Sequence, residues 1–397
     1  MLRTINNARV VTPEGVREGA SVVLEDGKVA GISARAENGG GEVLDAAGRY
    51  VLPGIVDLHS DAIEKQLTPR PGVEFSPELA FLEMDRYFMT SGVTTGFHAL
   101  SFMEGNGRTL DRGRELCELV ERLRNEGLAR HEVHVRCELP DKGSSDAVEE
   151  VLRSSRVGIV SVMDHTPGQG QFRDLEWFRR YWMQDRGAGE SQVAAAIEEA
   201  RANGYSLHLD RVERIAGAAA DRGTLFASHD DDTPERVELL AEKGVSISEF
   251  PVNARSASRA RELGLSVCMG APNAVRGVSS GGNLCATEAV ELGLVDALCS
   301  DYHPPSLLQA VFELARKRAV PLPAAVALVT SGPARAAGLP DRGEVREGAK
   351  ADLIVVGESL GLPTVTHTVV SGEVASARGG APAHRALVDE RDGRARR

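Results

Sequence analysis

Apolar residues in this chain come in short runs, and most of the runs finish on a polar side chain. Eight lie in the middle of the sequence: Ile55–His59, Gly92–His98, Val133–Glu138, Ile159–His165, Thr224–His229, Val245–Phe250, Leu265–Gly270 and Ala297–Asp301. Each has the length and β-branched content of a buried strand. Helical patterns separate them. Arg112 to Asn125 repeats apolar positions at helical spacing, and Gly127 ends it. Thr233-Pro234-Glu235 reads as an N-cap, a proline in the first turn and an acidic first turn. Ser306 to Arg318 is another amphipathic run. Eight strands alternating with helices predict an α/β fold, a (β/α)8 TIM-type barrel.

The two ends of the chain have a different rhythm. Residues 1–50 and 339–378 read as short strands broken by Gly, Pro and Asp, and predict one small β-sandwich domain built from both termini. The barrel then occupies 51–338, and 379–397, rich in Arg, Ala, Gly and Pro, reads as a flexible tail. The stretch from Phe172 to Asn203 is too long and too aromatic for an ordinary connection, and predicts helices near the site, either as a lid or as a plain insertion.

Composition narrows the function. Hydrophobic residues at 42% and charged residues at 26% are those of a globular protein. A net charge of −12 argues against non-specific nucleic-acid binding, so an anionic ligand needs a local basic pocket. The five cysteines form no CxxC, which disfavours a disulfide framework and a thiolate zinc site. No apolar run reaches the roughly 18 residues of a membrane span, and the N-terminus lacks a signal-peptide core. The expected setting is the cytoplasm, the expected partner a small molecule, and a homodimer the candidate assembly.

In a barrel the C-terminal strand ends converge on one face. Here they bring His59 with Asp61, Glu138, His165, His229 and Asp301, a set that suits a divalent metal held by imidazole and carboxylate. Spacing i, i+2 puts His59 and Asp61 on one side of a strand. Glu138 is placed to bridge two ions. One or two ions are expected, with zinc first and manganese, iron or nickel as alternatives. Asp301 is the candidate catalytic residue, a metal ligand that also takes a proton from the attacking water. Lys65, Arg70, Arg136 and Arg276 lie in the same loops and strand ends, where arginine forks match phosphate oxygens. Asn273 belongs to a Gly/Ser-rich segment that can present N–H groups to an anion. His98, His131, His134, His208 and His303 read as structural or surface residues.

Leu52-Pro53-Gly54-Ile55-Val56-Asp57-Leu58-His59 and the flanking β-segments resemble the amidohydrolase superfamily. Longer words are more specific: Asp57–Asp61 through Lys65 and Thr68-Pro69-Arg70, Arg136–Pro140, Met163–Gln169, Ser228–Asp231, Met269–Asn273 and Ser300–Tyr302. They resemble the subfamily of phosphonate-pathway diphosphatases acting on α-D-ribose 1-methylphosphonate 5-triphosphate. The resemblance implies a metal-dependent hydrolase that releases pyrophosphate and leaves the 5-phosphate. It also implies that Lys65, Arg70, Arg136, Asn273 and Arg276 bind substrate. The sequence departs from the superfamily pattern in having Asp61 where a second histidine is usual. It has no evident bridging lysine, and its His165 and His229 fall on strands four and five where five and six are usual. Two other functions stay open: an amide hydrolase of the deacetylase or dihydroorotase type, and a non-catalytic scaffold on the same barrel.

Overall fold

The computed structural model describes residues 2–35, 41–70, 72–105, 108–185, 187–203, 208–317 and 319–378, so the expected tail at 379–397 lies outside the described residues. All eight expected strands form, as Ile55–Ser60, Val93–Phe102, Arg130–Glu138, Ile159–Met163, Leu225–His229, Ile247–Glu249, Ser266–Gly270 and Ala297–Cys299. They pair in parallel and in chain order. The first and last strands are joined by a parallel bridge between Ser60 and Asp301. Asp61 N–H donates to Asp301 O at 2.7 Å, and Asp301 N–H to His59 O at 2.9 Å. Barrel closure therefore runs through three residues of the expected site.

Sequence explains the local choices. Gly96 lies in the second strand because a Cβ there would collide with the Phe88 ring of the helix Pro77–Ser91. That helix starts on Ser76, whose hydroxyl accepts from Leu79 N–H, and stops at Gly92, which takes the left-handed φ of 82°. Thr233 caps Pro234–Glu242 as expected, its hydroxyl accepting from Arg236 N–H at 3.1 Å. The run expected from Arg112 to Asn125 is helical over Leu110–Leu123, because Thr109 supplies the cap two residues earlier. The helix expected at Ser306 to Arg318 spans Ser306–Arg316.

The two ends of the chain meet as expected. Tyr50–Pro53 pairs in parallel with Leu2–Thr12 and antiparallel with Leu353–Ser359, so N- and C-terminal strands share one eight-stranded sheet. This sheet carries its own apolar core, including Leu2, Ile5, Val22, Leu353 and Val369. Arg130 ties it to the barrel through Asp352 at 2.6 Å. The 172–203 stretch holds two helices, Leu175–Asp185 and Glu190–Asn203, around Phe172, Phe178, Val193 and Ile197. Among the described residues no helix is long and apolar enough to cross a membrane.

Candidate active site

A cavity of about 680 Å³ opens at the C-terminal ends of the barrel strands. The backbone is forced there. Asp230, Phe250 and Asp301, which follow strands five, six and eight, all take left-handed φ values of 57°, 52° and 56°. Such angles are uncommon outside glycine and collect at functional sites.

Of the sequence-expected residues, Asp61, Lys65, Arg136, His165, His229, Asn273 and Asp301 line the cavity. His59 lies just beneath, 1% exposed, with Nδ1 3.0 Å from Glu249 Oε1 and its ring centroid 5.6 Å from that of His229. Asp301 does not cap the helix that follows: Pro305 occupies that place and no side chain bonds the helix start.

Three expectations need correction. Glu138 does not bridge toward the cavity. One carboxylate oxygen accepts from His165 N–H at 3.0 Å and the other from Nδ1 at 2.6 Å, so Glu138 orients His165 and leaves its Nε2 facing inward. Arg70 is exposed in a tight turn closed by Val73 N–H to Arg70 O, away from the cavity wall. Arg276 ends the short helix Ala271–Arg276, where a cation complements the helix C-terminus, and it too is exposed outside the wall.

Other residues join the site. Glu249 ends strand six, and His134 lies in strand three. His59, His134 and Glu249 each offer a ligand atom within 4.8 Å of the others. His134 is nonetheless engaged at both ring nitrogens, with Leu58 O and Ser161 Oγ, each at 2.9 Å. Asp230 sits 2.8 Å from His229 Nδ1 and 4.0 Å from His165 Nε2. Arg108, Trp177 and Tyr181 also line the cavity. Glu249 carried the same signal as the other ligands, a carboxylate closing a strand run. Arg108 carried none, because nothing in its neighbourhood marks it as facing the barrel mouth.

Electrostatics divides the site by protonation. Burial, reinforced by Arg136 and His229, pushes the His59 imidazole well below its usual value, so it stays neutral and able to ligate. Burial lifts Asp61 to about 7, helped by the negative charge of Asp301 and Glu64. Burial also raises Asp301, against the pull of Arg136, His229 and Lys65. His229 goes the other way: burial opposes its charge, but Asp230 outweighs that and raises it. Arg136, 8% exposed, forms no ion pair with a carboxylate among the described residues, and its Nη2 lies 3.4 Å from His229 Nε2. Its Nη1 lies 3.4 Å from Ser101 Oγ.

The residues fit a divalent cation. His59 Nε2, Asp61 Oδ1 and Glu249 Oε2 are buried without a hydrogen-bond partner, which costs free energy unless something positive meets them. Imidazole and carboxylate with no thiolate is the donor set of a hydrolytic metal site.

The profile of the Amidohydrolase family matches residues 50–375. The chain is 36% identical over 357 residues to the alpha-D-ribose 1-methylphosphonate 5-triphosphate diphosphatase of Escherichia coli (strain K12), covering 88% of this chain and 94% of that enzyme. It is 25% identical over 434 residues to a 5'-deoxyadenosine deaminase of Methanosarcina mazei, covering 97% of this chain and 91% of that one. The crystal structure of the dihydropyrimidinase of Brevibacillus agri superposes with a TM-score of 0.61 at 15% identity, covering 94% of each chain, a likeness of fold.

Proposed function

Because the chain belongs to the amidohydrolase family, we propose that this cavity hydrolyses the 5-triphosphate of α-D-ribose 1-methylphosphonate 5-triphosphate, giving the 5-phosphate and pyrophosphate. The 36% identity across nearly the whole of both chains carries the substrate assignment. The cavity supports it. A buried guanidinium, Arg136, faces it without a carboxylate partner, beside Lys65, in a protein whose net charge is −12. A cation so placed is at its most favourable beside an anionic ligand.

His59, Asp61, His165, His229, Glu249 and Asp301 would hold one or two divalent ions, zinc first and manganese, iron or nickel as alternatives. Such an ion supplies Lewis acidity toward phosphoryl oxygen. The protein's own groups do the rest. Asp301, raised by burial, takes the proton released as water adds to the 5'-linked phosphorus. That addition breaks the bond from this phosphorus to the oxygen that departs with pyrophosphate. Arg136 and Lys65 stabilise charge on the phosphate chain. Glu138 keeps the His165 ring from turning away. The Trp177 and Tyr181 rings contribute apolar surface to the cavity wall.

The test is pyrophosphate release from the authentic substrate by metal-stripped and metal-restored protein. Metal-dependent release is the expected result. No release with metal bound removes the diphosphatase reading and leaves the amide-hydrolase one. Failure to bind any metal leaves the scaffold.

A further inference from the structure

Strand five runs into three consecutive aspartates, Asp230, Asp231 and Asp232, and the fold gives each different surroundings. Asp231 is fully buried against strands five and six. Its Oδ2 accepts from the Ser228 and Ser248 hydroxyls at 2.5 and 2.6 Å, and Arg236 Nε lies 3.6 Å from Oδ1. Asp232 Oδ2 accepts from Gly170 N–H at 2.8 Å. These two tie the turn to its neighbours. Asp230 is placed by its backbone, whose N–H donates to Glu249 O at 2.9 Å. Its side chain is 7% exposed and lines the cavity, and Oδ2 is buried without a hydrogen-bond partner.

The other two histidines of the site show what the Asp230 contact lacks. His165 Nδ1 hydrogen-bonds Glu138 Oε2 at 2.6 Å, and His59 Nδ1 hydrogen-bonds Glu249 Oε1 at 3.0 Å. Each of those carboxylates orients a ring through an N–H. His229 Nδ1 and Asp230 Oδ2 are 2.8 Å apart, yet both are buried without a hydrogen-bond partner. Two electron-rich atoms side by side without a shared proton are costly unless a cation meets both.

His165 brings a third atom to the same point. Glu138 occupies its Nδ1, and its Nε2 lies 4.0 Å from Asp230 Oδ2. An ion bound at roughly 2.0–2.2 Å spans two atoms up to about 4.2 Å apart. The opposite nitrogen of His229, Nε2, faces Arg136 Nη2 at 3.4 Å, too long a contact to fix which nitrogen carries the ring proton.

We propose that Asp230 is a metal ligand, holding one divalent ion with His165 Nε2 and His229 Nδ1, while His59, Asp61 and Glu249 serve another. The acidic run after strand five then supplies a ligand as well as two structural ties. Resting on the metal-dependent part of the proposed function, this assignment holds whichever bond is cleaved.

Cobalt(II) binding to metal-stripped protein, without substrate, tests it by calorimetry and by the cobalt absorption spectrum. Wild type is expected to take two ions per chain. Asp230→Asn keeps an oxygen able to accept from His229 Nδ1–H, so a purely orienting role would persist in that variant. As the loss of a ligand, it is expected to weaken one ion by at least about 1000-fold, beyond the roughly 10–100-fold that loss of an outer partner costs, and to leave the other within about threefold. His165→Gln should weaken the same ion and change the same absorption bands. Asp232→Asn, in the same acidic run, should keep both ions. Turnover is not read, so an inactive diphosphatase assay leaves the metal result standing. One ion in wild type, two tight ions in Asp230→Asn, or an equal loss in Asp232→Asn would each overturn the assignment. Should circular dichroism show Asp230→Asn unfolded, His165→Gln decides, and two tight ions there overturn it.

Discussion

Two buried clusters of histidine and carboxylate lie in the same barrel wall, and their hydrogen bonds end differently. Between the helix Pro77–Ser91 and strands two and three, His98 Nε2 meets His131 Nδ1 at 2.8 Å, and His131 Nε2 meets Asp85 at 2.9 Å. Asp85 also accepts from Leu128 and Ala129 N–H. The two rings stack with 2° between their planes, packed by Phe81 and Phe88. Only one atom of that chain, His98 Nδ1, is left over. At the cavity, by contrast, His59, Asp61 and Glu249 each keep a buried atom without a partner, near left-handed backbone and a buried arginine. The same residue types make a brace in one place and a ligand set in the other. Satisfaction of the polar atoms, and access to a cavity, distinguish them.

The sharpest way to break this comparison is Asp301→Asn. Pyrophosphate release should fall at least about 1000-fold, a loss of roughly 4 kcal/mol of transition-state stabilisation, with the melting temperature shifted by a few degrees at most. Near-normal turnover would remove Asp301 from the chemistry. Next in size, His59→Ala should weaken metal binding by at least about 100-fold, while His98→Ala should leave bound metal, measured by elemental analysis, unchanged. Equal loss in both variants would erase the distinction between the clusters.

A smaller effect is expected on the brace itself. Asp85→Asn removes the charge that three donors share and should cost about 1–3 kcal/mol of stability, read by chemical denaturation. Activity per folded molecule should persist; its collapse would link the brace to the site. The smallest effect concerns a surface carboxylate. Burial alone would raise Asp341, but hydrogen bonds from Arg342 and Lys350 outweigh it and lower it to about 2. A carboxylate held low contributes stability above its ordinary value of 3.8 and loses it as the pH falls toward about 2. Solvent screens this half-buried group, so the contribution is modest. Asp341→Asn should flatten the fall in melting temperature across that window, and an unchanged slope would count against the assignment.

The fold was legible to an unusual depth because strand ends announced themselves. Runs such as Ile159–Met163 and Leu225–His229 are short, β-branched or aliphatic, and end on or just before a polar side chain. His59, Asp61, His165, His229 and Asp301 were found by that one signal. Glu249 bore it too and belongs beside them. Arg70 and Arg276 were misplaced because a basic residue after a strand can turn outward as readily as inward, and only packing decides which. Glu138 was found but given the wrong partner: its pairing with His165, 27 positions away, depends on strand register.

The sequence alone determined the alternation of strand and helix, the caps at Thr233 and Ser76, and the polar residues that close the strands. These depend on nearest neighbours in the chain, where propensity, spacing and hydrogen bonding act over a few residues. Tertiary structure decided which of those polar residues remain unsatisfied. It set His59 neutral by burying it, lifted Asp61 and Asp301 chiefly by burying them too, and seated Trp177 on a glycine more than 100 residues away. Burial and long-range charge are properties of the assembled barrel, so no local pattern carries them.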